Sequence, residues 1–275
     1  MKILVLSAEK NYEVNRIIDE SNKRGHETNF LLLSKCKSPD PQNYDCVLFR
    51  QIEKNVVKAE RIAKKFFDAG KIVVDEKIIH KIDRDKMQNY KLFTEHGLYV
   101  PATCPFNKKN LKLIEKFPSE EIVLKPLSGK RGKGLKKIKK AKLKKYLKTL
   151  KGQKYIAQEF AEITDEYRVY VIGNKVIGGV KKESDFWIHN LSQGAEPKKT
   201  HFSRGIKNTA IRAAKSVQTQ IAGIDIGRTK KRKLFIIEVN RSPGFKGYES
   251  LDYNFAEKIV KYLEKKSANK PEHKT

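Results

Sequence analysis

Short apolar runs alternate along the first third of the chain with segments whose apolar residues recur every three or four positions. Residues 2–6 (Lys-Ile-Leu-Val-Leu) read as a buried strand, and this apolar stretch is too short for a signal-peptide core. Residues 11–24 have helical spacing, with Val14, Ile17 and Ile18 along one side and Gly25-His26 as the stop. Residues 30–33 and 44–49 read as strands. Residues 54–69 read as a helix with Val56, Val57, Ile62, Ala63 and Phe66 inward, ended by Gly70, and residues 71–74 form a fourth strand. Such alternation predicts a small parallel α/β domain over residues 1–84. Its first strand–helix turn, Ser7-Ala8-Glu9-Lys10-Asn11, lacks the G-x-G-x-x-G spacing of a dinucleotide-binding turn.

Beyond residue 84 the pattern changes. A short helix is expected over 85–96, followed by Gly97-Leu98-Tyr99-Val100-Pro101. A strand over 121–126 leads into a glycine-spaced basic loop, Ser128-Gly129-Lys130-Arg131-Gly132-Lys133-Gly134. Residues 155–160 form another strand. Residues 167–172 and 175–180 flank Gly173-Asn174, turn residues at a hairpin position. Residues 206–221 have the spacing of an amphipathic helix, with Ile206, Ala210, Ala213, Val217 and Ile221 in register. Residues 223–227 and 234–240 read as two paired strands, and 254–263 as a closing helix. The lysine-rich tail after Leu263 is expected to fray.

Composition adds one dominant fact. The 275 residues include 60 Lys or Arg and 32 Asp or Glu, for a formal charge of +28. An apolar content of 39% is too high for a wholly disordered polycation. No apolar run reaches the ~20 residues of a membrane span, so no membrane partner is expected. Three cysteines without metal-ligand spacing fit a reducing, cytoplasmic setting. The charge is concentrated: residues 129–154 carry 13 Lys or Arg, and no acidic residue lies between Glu121 and Glu159. A solvated helix face accounts for such a run, as does a surface for an acidic macromolecule, either an acidic protein tail or RNA. The single aromatic Tyr146 in this stretch gives little support to base stacking.

Three constellations carry chemistry. Asp225, Glu238 and Asn240 each lie in or beside an apolar strand, where an ionised carboxylate is costly unless paired or bound to a cation. Glu238 and Asn240 are two apart and share a strand face. Three hard oxygen donors suit Mg²⁺, although any one of them alone reads as an ordinary strand-end carboxylate or turn Asn. Lys125 precedes the 128–134 loop, whose glycines permit close approach of backbone N–H groups to phosphate oxygens. That loop is not a Walker A loop, and a plain hairpin turn is the alternative. Gln158-Glu159-Phe160-Ala161-Glu162 offers an extended backbone beside an apolar ring, suited to an adenine edge or simply to a strand end. Arg168 and Asn190 are polar among apolar or aromatic neighbours. Arg168 can fork onto a carboxylate or phosphate, or pair with Glu166 or Asp165.

In their order along the chain these residues resemble the RimK-type ATP-grasp glutamate ligases. The resemblance rests on Asp85-Lys86 with Gly97-Leu98-Tyr99-Val100-Pro101, and on Val123-Leu124-Lys125-Pro126 before the glycine loop. It continues through Gln158-Glu159-Phe160, Glu166-Tyr167-Arg168, Trp187 to Asn190, and Ala222-Gly223-Ile224-Asp225. It ends on Glu238-Val239-Asn240-Arg241-Ser242-Pro243-Gly244-Phe245 and spans residues 2–264. The implied fold class is α/β, more closely the α+β ATP-grasp type. An N-terminal parallel α/β domain (1–84) would precede a lid subdomain with the glycine loop (85–157). A C-terminal subdomain with the metal site (158–268) and a flexible tail (269–275) would follow.

The resemblance also implies roles. Lys86, Lys125, Ser128, Gly129, Gly132 and Gly134 would contact ATP phosphates. Glu159, Phe160 and Ala161 would sit at the adenine, Glu162 near the ribose, and Glu166 at the nucleotide or substrate. Asp225, Glu238 and Asn240 would bind Mg²⁺ or Mn²⁺, while Arg168 and Asn190 would hold the acyl phosphate or the donor carboxylate. The implied activity is ADP-forming amide synthesis through an acyl phosphate. Glutamate would be the donor and an acidic protein, peptide or poly-glutamyl tail the acceptor, and the enzyme would be a homo-oligomer. Ile188-His189 stands where the family often has Arg-Ser, and Gln193 where it often has arginine. Those losses of positive charge motivate an alternative, an RNA- or ribosome-associated protein that kept the fold and lost the reaction.

Overall fold

The computed structural model describes residues 1–52, 55–80, 86–127, 134–150, 152–183 and 196–269. In these residues the strands form three sheets. The first comprises β1 (Lys2–Ser7), β2 (Glu27–Leu32), β3 (Cys46–Phe49) and β4 (Ile72–Val74), all parallel in the order β2-β1-β3-β4. Helices α1 (Tyr12–Lys23) and α2 (Val56–Asp68) are its crossovers. Asn11 caps α1 by accepting the Val14 N–H at 3.1 Å, and Gly25, at φ +76°, allows the exit turn. A parallel sheet needs cover on both faces. Ala59, Ile62, Ala63 and Phe66 of α2 cover one, and Val14 and Ile17 of α1 cover part of the other. Val57, expected inward, is 77% exposed, and Ala59 takes the inward position. β2 starts three residues before the apolar run because it is an edge strand, where Glu27, Thr28 and Asn29 keep contact with water.

The second sheet is antiparallel. After α3 (Lys86–Glu95) come β5 (Thr103–Pro105), α4 (Leu111–Glu115), β6 (Glu121–Pro126), β7 (Lys136–Lys139), α5 (Leu143–Leu147) and β8 (Tyr155–Glu159). The strand order is β5-β8-β6-β7. Ile122, Leu124 and Ala157 on one face pack under Ile114 of α4 and Leu143 of α5. Alternation puts Val123, Lys125, Lys137, Ile156 and Gln158 on the other face.

The third sheet contains β9 (Asp165–Ile172), β10 (Lys175–Glu183), β11 (Glu196–Lys199), β12 (Ile221–Arg228) and β13 (Leu234–Asn240), antiparallel in the order β11-β10-β9-β12-β13. Both expected hairpins are present. Helix α6 (Arg204–Ser216) covers the face bearing Tyr167, Val169, Ile224 and Ile226. It ends before the expected residue 221, because Gln218 turns the chain at φ +52° and Ile221 opens β12. The short α7 (Lys246–Glu249) leads into α8 (Phe255–Ala268). α8 continues past the expected end at Leu263, since Arg24 (2.7 Å) and His26 (2.8 Å) both hold Glu264. Tyr170, Phe245, Phe255, Ile259 and Leu263 form one core with Ile3, Val5, Val14 and Ile17, so the third sheet and α8 pack against the first sheet and α1. Among the described residues no helix is long and apolar enough to cross a membrane.

Candidate active site

Strand alternation collects Glu166, Arg168, Lys182, Asp225 and Glu238 on one face of the third sheet. Arg168 lies directly opposite Asp225, Lys182 opposite Glu166, and Glu238 opposite Asp225 on its other side. Arg168 forks onto Asp225, Nε to Oδ1 at 2.8 Å and Nη2 to Oδ2 at 2.7 Å. Lys182 Nζ sits between Asp225 Oδ2 (3.1 Å) and Glu166 Oε1, to which it donates. Glu166, Lys182 and Asp225 are all buried. Burial opposes the charge on Asp225, but Arg168 and Lys182 outweigh it and hold the carboxyl below the usual carboxylate range. Burial likewise opposes the Arg168 charge, yet Asp225 raises its pKa. The expected partners of Arg168, Glu166 and Asp165, are taken by others. Asp165 pairs with Arg228 (2.7 Å) and Lys181 (2.9 Å), and Glu166 pairs with Lys182. Asp165 is on the opposite face from Arg168, whereas Asp225 is its cross-strand neighbour.

Glu238 is exposed and Asn240 half-buried, two residues along the same face of β13. Asn240 Oδ1 accepts the Ser242 N–H at 3.1 Å. Pro243 of the following turn lies against Gly223, where a Cβ would come within 2.8 Å of it. By chemical type the donors suit a hard divalent cation, while Arg168 and Lys182 hold both oxygens of Asp225. Asp225 Oδ1 has one hydrogen bond and keeps a lone pair, Asn240 Oδ1 does the same, and the Glu238 carboxylate faces solvent.

Two lysines reach this edge from the second sheet and its helix. Lys125 Nζ donates to Tyr90 Oη (3.2 Å), whose hydroxyl donates to the Ile237 carbonyl (3.2 Å), next to Glu238. Lys86, the first residue of α3, donates to the Pro126 carbonyl at 3.0 Å. Burial lowers the Lys86 pKa; the charge of Glu238 opposes that shift and Lys125 adds to it. Gly134 has φ +78°, and a Cβ there would meet the Pro126 ring at 3.0 Å. The loop's return therefore requires glycine. Ser128, Gly129 and Gly132 lie outside the described residues, as do Asn190 and the Ile188, His189 and Gln193 departures.

The proposed base-binding residues follow at the end of β8. Glu159 gives its N–H to the Ala102 carbonyl (2.8 Å) and accepts the Ala102 N–H on Oε2 (3.3 Å). The Phe160 N–H donates to the Glu121 carbonyl (3.1 Å), and Lys137 Nζ stands 4.5 Å over its ring. Ala161 is half-buried. Glu162 is exposed, with Lys230 2.9 Å away lowering its pKa. Lys182, Tyr90 and Lys137 were not among the sequence candidates. For Lys182 a signal existed: strand alternation puts it on the same side as Val180, the inward side.

The candidate site is thus a lysine-bearing sheet set against a sheet that carries a carboxylate–amide set, and the known proteins this chain is similar to are of one class, the ATP-grasp carboxylate–amine ligases. The model of the RimK-like ATP-grasp domain matches residues 83–263, and the chain belongs to that family. It is 29% identical to a probable alpha-L-glutamate ligase of Nitrosococcus oceani and 29% identical to another of Marinobacter nauticus, each over 96% of both chains. In fold it is similar to the ATP-grasp ligase PsnB complexed with minimal precursor, Mg and ADP (TM-score 0.76, 19% identity, 96% of this chain and 97% of that one). It is similar also to the D-cycloserine synthetase DcsG (TM-score 0.73, 12% identity, 97% and 100% covered).

Proposed function

We propose that this ligase adds glutamate to an acidic protein, peptide or poly-glutamyl tail. The carrying observation is the convergence of Lys86 and Lys125 on the Glu238 end of the carboxylate–amide set. Two cations and three oxygen donors at one edge suit the triphosphate of a nucleotide. A carboxylate oxygen of the acceptor attacks the γ-phosphorus, the bond to the β-phosphate oxygen breaks, and ADP leaves. The donor's amine then attacks the acyl carbon, the carbon–oxygen bond to phosphate breaks, and the nitrogen gives up a proton. Lys86 and Lys125 offset charge on the phosphates in both steps. Mg²⁺ or Mn²⁺, held by Asp225, Glu238 and Asn240, would supply further charge neutralisation at the phosphates. Arg168 is a positioning residue, fixing the Asp225 carboxylate. Residues 85–157 act as a lid over the acyl phosphate, which water would hydrolyse. The names of the relatives favour glutamate, and the charge of +28 favours an acidic acceptor.

The test is ADP release across the twenty amino acids with an acidic peptide present, read with mass spectrometry of the peptide. Product growing in glutamate-residue steps is expected, and absence of ADP release with every amino acid would sink the reading. Glu238→Ala should abolish product with an unchanged melting curve; normal ligation by that variant would remove the metal assignment.

A further inference from the structure

β7 is the outer strand of the second sheet: β6 pairs with one side of it, and no described strand pairs with the other. The ladder tells which of its backbone groups face outward. The Lys140 N–H donates to the Glu120 carbonyl at 3.0 Å. Register then sets Lys139 opposite Glu121, Ile138 opposite Ile122, and Lys137 opposite Val123. Bonded and non-bonded pairs alternate in an antiparallel ladder, so Ile138 and Lys136 bond to β6. The N–H and C=O groups of Lys137 and Lys139 therefore point to the open edge. The other side of β6 agrees, because the Glu121 carbonyl accepts from Phe160 of the β8 side.

Cations outnumber carboxylates beside this edge. Lys137 stands 3.1 Å from Glu121, Lys140 4.0 Å from Glu120, and Lys144 3.8 Å from Glu115. Lys139, Lys142, Lys145 and Lys148 are exposed, with no acidic partner among the described residues. Lysines on an open edge ordinarily keep other strands away. For an acidic strand they do the opposite: the backbone pairs, and alternate carboxylates come beside Lys137 and Lys139.

We propose that an extended acidic peptide docks as an added strand on the free edge of β7. As the acceptor track of the enzyme, this rests on the ligase reading above. Direction follows from the register. Lys136 is opposite Leu124, next to Lys125, while Lys139 is opposite Glu121, whose carbonyl accepts from Phe160. A peptide antiparallel to β7 carries its C-terminal carboxylate toward Lys125, the end assigned to phosphate transfer.

Lys139 permits a clean test. Its φ of −67° is that of proline, and its N–H lies outside the β6–β7 ladder. Lys139→Pro thus removes an edge donor and a charge, whereas Lys139→Gln removes the charge alone. The probe is a fluorescein-labelled oligoglutamate peptide with a free C-terminal carboxylate, read by fluorescence anisotropy on the full chain without ATP. Lys139→Gln should weaken binding about twofold and Lys139→Pro roughly tenfold, one exposed charge and then one ladder hydrogen bond. Circular dichroism should show both variants folded. Equal binding by Lys139→Pro and Lys139→Gln overturns strand addition, and wild-type affinity in both overturns the surface. Binding of a short oligouridine RNA in place of the peptide overturns the partner. Peptide binding with the expected variant pattern but without ligation in the mass spectrum supports the surface and counts against the ligase reading.

Discussion

Lys182 is the residue on which the buried charges of the third sheet depend. It sits between Glu166 and Asp225, and all three are out of water. Replacing it by methionine leaves the Glu166 carboxylate without this cation and removes one of two from Asp225. Breaking a buried ion pair from one side costs about 3–5 kcal/mol, so urea denaturation of Lys182→Met should show a loss of that order. Adding Glu166→Leu should recover a large part of it, since the stranded charge is removed with its partner. Similar stability of the wild type and the single variant would mean that this pair carries little of the fold. The candidate site was only partly legible at this level. Asp225, Glu238 and Asn240 stand out as polar residues in apolar strands. Lys182 stands out less, because Lys181 and Glu183 flank it; alternation with Val180 marks it as inward-facing, and its partner appears only when the hairpin register sets it opposite Glu166. Arg168 was legible as a forked ligand, but its partner lies on a strand almost sixty residues away.

Among the elements, the end of β4 meets the start of β12 through a buried carboxylate. Asp75 accepts the Gln220 N–H at 2.8 Å and the Thr219 hydroxyl at 2.5 Å. Burial raises its pKa from 3.8 to about 6, against the lowering effect of those two bonds and of Arg241. An acid with a raised folded-state pKa binds its proton more tightly when folded. Its stabilising contribution is therefore full below about pH 4 and is lost as the pH rises through 6. Asp75→Asn should remove this dependence. Melting curves from pH 4 to 7.5 should show the wild type falling relative to the variant by of order 2 kcal/mol, and parallel curves would contradict the assignment. The elements themselves were legible where an apolar run or a period exceeded a few residues, as in β1, β3 and α2. β5 and β11 are short edge strands containing proline, and α4 and α5 are too short to show a period. Spacing alone overextends α6, because Val217 and Ile221 continue its period while the positive φ of Gln218 breaks it.

At the scale of the whole molecule, the charge of +28 sets a long-range field. Between about 0.1 M and 1 M salt the Debye length falls from about 10 Å to about 3 Å. The kcat/KM for an acidic peptide acceptor should fall by roughly an order of magnitude over that range, mainly through encounter rate. A salt-independent value would remove the steering role. The interleaved core of α8, α1 and β1 also bears on how the chain is made. Ile3, Val5, Val14 and Ile17 find part of their apolar cover in Phe255, Ile259 and Leu263, which are made more than two hundred residues later. Until those residues emerge, the part of the first strand's face that α1 does not cover stays open, and a long loop closure precedes its burial. Nascent chains stalled before residue 255 should accordingly be cleaved within residues 1–52 by a protease that leaves the finished protein intact.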